Sequence, residues 1–468
     1  DAAGEAVQLR GVCVGGWMNM ESFINGFPGT EMGLRAMLHE VLGPARTEFF
    51  FERWLDAILA EEDIAYIASL GANVVRLPLN YRHFESDMQP FHYLESGFAR
   101  LDQTLSWCIK YGLYAILDLH AVQGWQNPDW HSDNPTQAAL FWQQRQFQDR
   151  FVGLWEEIAR RYADNPTVAG YDLINEPLTN EISNQVYGSF HPDWMRMNAV
   201  YRRAVTAIRA IDPDHIIFLE GDGFASKFCG LEAPFADNLA YASHNYNWAG
   251  WGPGAYPGEH REGWWDAAMV EKVFNEHEGT QFTRQHKVPL WVGEFGSVFN
   301  GRPEERSDRL RGMEDNLAVF DRYGAHWTAW TYKDLGVMGW VCVDVESEFH
   351  RLLAPVQAAR QTLRTDTWMY WLPSTPADHL TGDLAQCILG ASGDLGLDKA
   401  AIQGQLAKVS LAGKAGQLLQ FQFAQAFKNL SEVETDRVLS SFALKNCQPN
   451  SDLVEIVKRH LQPEKVLG

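Results

Sequence analysis

The sequence predicts a (β/α)8 barrel over residues 1–370, followed by a small helical appendage over 375–468. Eight strand-like segments alternate with segments of helical periodicity, and most of these strands are nearly continuous apolar runs. Such runs are expected where parallel strands are buried on both faces. A doubly wound sheet is the alternative, but it usually carries a glycine-rich phosphate turn after an early strand, and GVCVGG is a poor match to that turn.

Each predicted strand is followed by a helix or a long loop, as a barrel of this type requires. The predicted strands are LRGVCVGG (9–16), NVVRLPL (73–79), YAILDLH (114–120), VAGYDLIN (168–175), IIFLEG (216–221), LAYASHNY (239–246), PLWVGEFG (289–296) and HWTAWTY (326–332). The helical segments predicted between and after them are 61–70, 97–111, 138–163, 194–211, 263–285, 306–323 and 351–364.

The pattern of the sequence changes at about residue 375, because strand-like apolar runs stop there and only helical periodicity continues. Ser431 followed by Glu434 fits a capping box at the start of one helix of this region. Acidic and basic residues are mixed, and no site motif is present, so we expect a structural or partner-contacting module. The helices predicted here are 382–390, 397–412, 415–429, 432–444 and 451–461.

Composition narrows the class of protein. Of the 468 residues, 46% are apolar and 21% are charged, which excludes wholesale disorder. The 18 tryptophans suit either a large core or the stacking of sugar rings. A net charge of −21 would repel a phosphate backbone, so no nucleic-acid partner is expected. The sequence contains no run of 18 apolar residues, so no membrane-spanning helix is predicted.

The cysteines and the start of the chain carry less information. The six cysteines form no CxxC or metal-type cluster, and Cys13, Cys108 and Cys342 lie in apolar stretches typical of packed thiols. Neither a metal nor a cofactor is predicted. No signal pattern is visible and the chain starts at Asp1, so we expect a soluble protein, either secreted with its leader removed or cytoplasmic.

Polar side chains occur near the carboxyl ends of six predicted strands, which converge on one pocket in a barrel of this kind. Each has a structural explanation when taken alone, such as a buried ion pair for the arginine or a hydrogen-bonded core position for a histidine. Polar groups are costly at equivalent positions of six strands unless they serve a common site. The residues are Arg76, Asp118, His120, Asn175, Glu176, His244, Tyr246, Glu294 and Trp330.

The two glutamates indicate the chemistry. The fourth and seventh strands lie nearly across the barrel mouth from each other, so Glu176 and Glu294 can face a bound sugar from two sides. A retaining glycosidase needs two carboxyl groups about 5–5.5 Å apart, one as nucleophile and one as acid/base. An inverting enzyme needs about 6.5–9.5 Å, and the sequence leaves both distances open.

Two motifs make a family resemblance specific. Asn-Glu-Pro at 175–177 and Gly-Glu-Phe at 293–295 resemble glycoside hydrolase clan A. Eight residues are similar to the signature of glycoside hydrolase family 5, both in their order and in the strands that carry them. This resemblance covers roughly residues 9–366. The eight residues are Arg76, His120, Asn175, Glu176, His244, Tyr246, Glu294 and Trp330.

The resemblance implies a role for each of these residues. Glu294 would be the nucleophile that forms a glycosyl-enzyme, and Glu176 would protonate the leaving oxygen and later deprotonate water. By the same resemblance, Arg76 and Tyr246 would keep Glu294 anionic and oriented, and Asn175 would contact the sugar 2-OH. His120 and His244 would orient the sugar and the carboxylates, and Trp330 would form the floor of the −1 subsite.

Two loops resemble the fungal exo-β-1,3-glucanase branch of the family. RGVCVGGWMNMESF (10–23) places Glu21 where that branch closes the non-reducing end of its pocket, and DLHAVQGWQN (118–127) resembles its loop after the third strand. Cys13 departs from the pattern, since asparagine is usual there. The resemblance implies an exo-acting retaining β-glycosidase, with β-D-glucosides as the expected substrates.

Tryptophans in the long loops predict the leaving-group side of the pocket, because long loops usually carry specificity. Trp125, Trp248 and Trp251 are the candidates for a wall at the +1 subsite. Such a wall would suit a second sugar or an apolar aglycone such as a lipid or sterol.

Four alternatives stay open at this point. An endo-acting β-glucanase or β-mannanase, or a β-mannosidase, would use the same two glutamates. A carbohydrate-binding barrel without catalysis belongs to another class, although the presence of both glutamates weighs against it. A metal-dependent lyase would need a His/Asp/Glu cluster, which His120 and His244 with the glutamates could imitate.

Overall fold

The structure is a computed structural model that describes residues 7–180, 191–260, 263–365, 374–393 and 397–461. Eight parallel strands pair in sequence order, and the eighth pairs with the first to close a barrel. The (β/α)8 prediction is therefore confirmed. The barrel strands, numbered β1 to β8, are Arg10–Cys13, Val74–Asn80, Tyr114–Ala121, Val168–Asp172, Ile216–Glu220, Leu239–His244, Leu290–Glu294 and His326–Ala329.

All eight strands form at the predicted places, but most end earlier than the apolar runs do. The fourth run was predicted to reach residue 175, whereas β4 ends at Asp172, and β8 ends at Ala329 rather than 332. The ladder stops where the strands separate at the barrel mouth. The residues beyond it are buried by the loops of the mouth, so their apolar and polar side chains alike lie inside the molecule without sheet pairing.

The helices that surround the barrel, numbered α1 to α10, are Glu31–Leu42, Pro44–Ile58, Glu61–Ser69, Glu95–Tyr111, Arg145–Tyr162, Trp194–Arg209, Ala267–Glu276, Glu278–His286, Arg306–Tyr323 and Glu348–Leu363. Two of these helices, α1 and α2, were not predicted, and they fill the long connection between β1 and β2. The Thr30 hydroxyl accepts from Gly33 N at 3.3 Å and caps α1, which is the local signal for its start.

The helical segment predicted at 263–285 is wrong at its beginning. Gly263–Trp265 pairs as a short antiparallel strand with Gly258–His260. The Asp266 carboxylate then accepts from the backbone N–H groups of Ala268 and Met269, which starts α7. Further short elements lie near the mouth or on the surface: helical turns at Ser22–Asn25, Asp222–Ala225 and Trp248–Trp251, and a hairpin of Glu85–Ser86 with Gln89–Tyr93.

The C-terminal region is helical, as predicted, and its elements are Pro376–Ser392 (α11), Lys399–Leu406 (α12), the π-helical segment Ala407–Ala415, Gly416–Phe427 (α13), Glu432–Leu439 (α14) and Ser451–Leu461 (α15). The predicted capping box is present: Ser431 N donates to Glu434 at 2.8 Å, and Glu434 N donates back to the Ser431 hydroxyl at 3.3 Å. One strand was missed, since Cys447–Pro449 pairs with Val341–Val343. The domain limits at 370 and 375 stay predictions, and residues 366–373 lie outside the described residues.

The C-terminal helices pack onto the barrel through apolar and polar contacts. The ring of Phe427 lies 5.1 Å from that of Phe50 on α2, and Phe442 lies 4.9 Å from Trp54. Gln420, which is buried on α13, donates to the Pro28 carbonyl oxygen at 2.8 Å. This bond ties α13 to the loop that follows β1 at the catalytic end of the barrel.

Candidate active site

A cavity of about 450 Å³ opens at the carboxyl ends of the barrel strands. It contains seven of the nine residues predicted for catalysis and substrate binding, and the other two, Arg76 and Asn175, are fully buried and contact Glu294 and His120 of its lining. The residues that line it are Glu21, Phe23, His120, Asp129, Trp130, His131, Glu176, Gly223, Phe224, Ser226, His244, Tyr246, Trp251, Glu294, Trp330 and Lys408.

Glu294 is the last residue of β7, and both oxygens of its carboxylate are held. Arg76 donates from Nη1 to Oε1 at 2.8 Å, and the Tyr246 hydroxyl donates to Oε2 at 2.9 Å. His244 Nδ1 lies 3.6 Å from Oε2. These contacts fix the orientation of a carboxylate that lines the cavity, at the position expected for the nucleophile.

Arg76 is fully buried on β2 and organises the base of the site. Besides Glu294 it contacts Asp172 at 3.0 Å, Glu220 at 3.1 Å and Asp118 at 3.2 Å. Burial lowers the pKa of Arg76, but Asp118 and Asp172 raise it further, to well above its usual range. Burial also raises the pKa of Asp172 well above its usual range, although the Arg76 guanidinium opposes this rise.

Asn175 lies just past the end of β4, and its amide has a fixed orientation. Its Oδ1 accepts from Arg76 Nη2 at 2.9 Å, while its Nδ2 lies 3.3 Å from His120 Nε2. The amide N–H groups are therefore directed to the His120 side of the cavity, where a sugar hydroxyl would bind.

Glu176 follows with a backbone φ of 48°, a left-handed conformation that is uncommon for a residue with a side chain. Its backbone N–H donates to Glu220 Oε2 at 2.7 Å, which holds this conformation. Its carboxylate lies between His244 Nδ1 at 2.7 Å and His131 Nε2 at 3.0 Å. Strain at this position is compensated by these bonds and directs the carboxylate into the cavity.

The two histidines and Glu176 share protons. Burial raises the pKa of Glu176, but hydrogen bonds from charged His131 and His244 outweigh burial and lower it well below its usual range. Burial lowers the pKa of His131, whereas its bond with Glu176 raises it above the ordinary value. One proton therefore has two arrangements within the Glu176–His131 pair: on the imidazole with Glu176 ionised, or on Glu176 with the imidazole neutral.

Asn127 favours the second arrangement. Its Oδ1 accepts from Asp129 N at 2.9 Å and its Nδ2 donates to the Glu176 carbonyl oxygen at 2.9 Å, so the amide orientation is fixed. The same Nδ2 lies 3.0 Å from His131 Nε2. A protonated Nε2 would face this amide N–H to N–H, so Asn127 opposes a proton on Nε2, whereas charged His131 and His244 keep the pKa of Glu176 low.

The carboxylates of Glu176 and Glu294 are close together. One ligand atom each of Glu176, His244 and Glu294 lies within 4.8 Å of the others. An oxygen of each carboxylate therefore lies within 4.8 Å of the other, which is nearer to the spacing of about 5–5.5 Å in retaining enzymes than to the 6.5–9.5 Å of inverting ones. The same three groups have donor types that could hold a metal ion, but the hydrogen bonds described above already connect them to each other and to Arg76 and Tyr246.

Glu21 and His120 form another part of the cavity wall. Glu21 is 3% exposed, and His120 Nε2 lies 3.0 Å from its Oε1, while Asp118 holds His120 Nδ1 at 2.8 Å. Burial lowers the pKa of His120, but Asp118 and Glu21 raise it to about 10, so the imidazole is charged at neutral pH. Trp330 stacks on the His120 ring at 5.2 Å. Trp330 lines the cavity, and its role as the floor of the −1 subsite stays a prediction.

The three tryptophans predicted for the +1 wall lie in different places. Trp251 lines the cavity, and its ring lies 4.7 Å from that of Tyr246. Trp248 does not line it and packs instead against His260 at 4.1 Å. The prediction for Trp125 is wrong. Its φ of 60° turns the loop, and its side chain lines a separate cavity of about 550 Å³ beside Phe147.

Several residues of the site were missed. Glu220 ends β5 as Glu294 ends β7, so the rule applied to the other strands would have identified it. His131 lies in the loop after β3, where a histidine next to Trp130 was a weak signal. Lys408 is contributed by the π-helical segment of the C-terminal region, and no local pattern indicates it.

Comparison with known proteins agrees with this geometry. Residues 28–336 match the family model described as Cellulase (glycosyl hydrolase family 5). The chain is also 35% identical to a protein named Beta-xylosidase from Phanerodontia chrysosporium, over 98% of this chain and 95% of that protein. The chain belongs to glycoside hydrolase family 5. This glycoside hydrolase family 5 protein is therefore a retaining glycoside hydrolase of clan A, as the sequence predicted.

Other relatives of this family 5 enzyme carry different names. It is 26% identical to Probable glucan 1,3-beta-glucosidase A of Emericella nidulans, over 74% of this chain and 90% of that one. Among solved structures, the match to AoRut covers 70% of this chain and 89% of that one, with a TM-score of 0.56 and 20% identity. The match to endoglucanase Cel5A of Thermotoga maritima covers 73% of this chain and 93% of that one, with a TM-score of 0.51 and 20% identity. At these identities the solved structures support the fold alone. Within the described part of the chain, no helix has the length and apolar character to cross a membrane.

Proposed function

We propose that this family 5 enzyme is an exo-acting β-glycosidase that removes one terminal sugar, most simply β-D-glucose, from a glycoside. The observation that carries the proposal is the buried Glu21–His120 pair in the cavity wall, where charged groups can hold the hydroxyls of a terminal sugar and close the pocket beyond it. An endo-acting enzyme needs a cleft that is open in both directions.

The reaction would proceed by double displacement. Glu294 Oε attacks the anomeric carbon while the Glu176 carboxyl protonates the glycosidic oxygen, so the C1–O bond breaks and a glycosyl ester of Glu294 forms. Arg76 and Tyr246 orient the attacking carboxylate. The leaving group departs, and its place is taken by water.

In the second step Glu176 accepts a proton from that water as the water attacks the anomeric carbon. The ester bond to Glu294 breaks, and the sugar is released with its β configuration. Asn175 is positioned for the 2-OH, whose hydrogen bond strengthens in the transition state. Loss of the charge on Glu294 in the intermediate eases ionisation of Glu176, which prepares it to act as a base.

A β-xylosidase is the second candidate, because the relative named Beta-xylosidase matches the chain along almost its whole length. Glucose and xylose differ only in the hydroxymethyl group at C5, so both present the same equatorial hydroxyls to Glu21, His120 and Asn175. The choice depends on whether the wall near C5 has room and hydrogen bonds for that extra group.

The test is the hydrolysis of 4-nitrophenyl β-D-glucoside and β-D-xyloside followed by proton NMR, with Glu294→Gln as the inactive control. The β-anomer released first by the wild type, and not by the variant, is the expected result. The ratio of kcat/KM for the two substrates then shows whether glucose or xylose is the preferred terminal sugar. Release of oligosaccharides from polymeric β-glucan or β-mannan, with no free monosaccharide, would instead establish an endo-acting enzyme.

A further inference from the structure

Lys408 is a cavity residue that does not come from the barrel. It belongs to the π-helical segment Ala407–Ala415, which joins α12 to α13. The segment is held at the barrel mouth, because Gln417 donates to the Pro135 carbonyl oxygen at 3.1 Å and buried Gln420 donates to the loop after β1 at 2.8 Å. Lys408 is therefore presented to the cavity by a helix fixed to the barrel.

The side chain of Lys408 forms an ion pair with Asp129 and lies over the ring of Phe224, with Nζ 5.7 Å from the ring centroid. The lysine and aspartate side chains are 24% and 12% exposed, so both reach the cavity surface without being sealed beneath it. An ammonium has three N–H donors and a carboxylate about four acceptor positions. One ion pair leaves donors and acceptors on both groups for a ligand.

The Lys408–Asp129 pair lies on the side of the cavity where the leaving group departs. Asp129 is two residues before His131, whose Nε2 contacts Glu176 at 3.0 Å. Phe224 is on the same side, since its backbone N–H donates to the carbonyl of Pro177, the residue after Glu176, at 3.3 Å. The acid/base must face the glycosidic oxygen, so groups that surround it on the outer side contact the leaving group.

We propose that Lys408 and Asp129 form a binding site for the hydroxyl groups of a sugar leaving group, so that the C-terminal helical segment supplies part of the +1 subsite. The inference rests on the proposed exo-glycosidase function. Neighbouring hydroxyls of a pyranose can accept from Lys408 and donate to Asp129, while its C–H face packs on Phe224 or Trp251. A lipid or sterol would cover this ion pair without replacing its water hydrogen bonds, which is costly. Of the two leaving groups that suit aromatic walls, the pair selects the sugar.

The test compares two substrates with the same terminal sugar and different leaving groups. For a glucosidase these are cellobiose, laminaribiose or gentiobiose against 4-nitrophenyl β-D-glucoside, and for a xylosidase xylobiose against the aryl xyloside. In Lys408→Met, the ratio of disaccharide to aryl kcat/KM should fall about 10- to 100-fold, as expected for loss of a charge-assisted hydrogen bond. Asp129→Asn should change the ratio in the same direction. The matched control is Lys414→Met, an exposed lysine of the same segment.

Two readouts keep the outcomes separate. The glycosyl-enzyme formed from the aryl substrate can be intercepted by added glucose or xylose, and transfer to that sugar should fall in Lys408→Met relative to hydrolysis by water. Equal ratios in Lys408→Met and Lys414→Met, with normal thermal unfolding, would overturn the inference while leaving the glycosidase intact. So would a wild type that prefers octyl β-D-glucoside to every disaccharide. A wild type without activity on any aryl glycoside would overturn the proposed function itself.

Discussion

At the scale of single residues, the position of Glu176 between two histidines indicates which chemical step depends on it. The carboxyl must give its proton to the leaving group and later take one from water, whereas Glu294 acts only as nucleophile and leaving group. Substitution of Glu176 therefore affects the two steps to different extents, and the leaving group decides how much the first step suffers.

Glu176→Ala should reduce kcat on disaccharides about 10²- to 10⁴-fold, the usual contribution of a general acid. Aryl glycosides with very good leaving groups need little protonation, so they should still form the glycosyl-enzyme and then accumulate it. Azide needs no general base, and it should restore turnover and yield a β-glycosyl azide. The measurement is a burst of nitrophenolate with and without azide. If azide gave no rescue and no azide adduct, Glu176 would not be the acid/base.

His131 offers a test of proton sharing by pH. The bond between His131 and Glu176 stabilises the state in which the pair holds one proton, wherever that proton lies. Removing the imidazole in His131→Phe should therefore move the alkaline limb of the kcat/KM profile to lower pH, most clearly on substrates with poor leaving groups. His39→Phe, an exposed position on α1, is the control. An alkaline limb at the same or higher pH would show that His131 does not share the proton.

At the scale of elements, the sequence was informative wherever function depends on a strand. Apolar runs of parallel strands are local patterns, and the polar residue at the end of each run marks the barrel mouth, so Arg76, His120, Glu176 and Glu294 could all be located in this way. Glu220 obeys the same rule and was overlooked, although it holds both the backbone of Glu176 and the guanidinium of Arg76.

Loops were less predictable, for a physical reason. A tryptophan in a loop has no periodicity to fix the direction of its side chain, and the direction depends on a few backbone angles. Trp125 points away from the cavity because of one positive φ, whereas Trp251 reaches it from a single helical turn, Trp248–Trp251. Lys408 depends on contacts between parts of the chain about 280 residues apart in sequence, such as Gln417 with Pro135. No local pattern encodes such contacts.

The loop after β1 carries the prediction for the terminal-sugar end of the cavity. Glu21→Gln keeps the size of the side chain but removes its charge beside His120. Binding of the terminal sugar should weaken, so kcat/KM should fall about 10- to 100-fold on aryl glycosides and disaccharides alike, since both place the same sugar there. This equal loss distinguishes Glu21 from Lys408, which should affect disaccharides more. Unchanged kinetics on short substrates would refute the closed end of the cavity.

At the scale of the whole molecule, the C-terminal helices and the barrel share apolar contacts. Phe423 and Phe427 on α13 pack against Phe50, and Trp54 on α2 contacts Phe442. A strand of the C-terminal region also extends a small sheet at the end of the barrel, where Cys447–Pro449 pairs with Val341–Val343. Shared packing of this kind couples the unfolding of the two regions and keeps the π-helical segment at the mouth.

Phe427→Ala tests that coupling. Loss of a buried phenylalanine costs about 3–5 kcal/mol, so the free energy of unfolding of the barrel should fall by about that amount. Phe421 lies on the same helix and is 51% exposed, and Phe421→Ala should change stability by less than about 0.5 kcal/mol. Urea unfolding followed by tryptophan fluorescence and by residual glycosidase activity measures both variants. In a coupled molecule the two signals shift together in Phe427→Ala. Activity that persists at the wild-type urea midpoint, while C-terminal helicity is lost earlier, would show that the barrel folds independently of these helices.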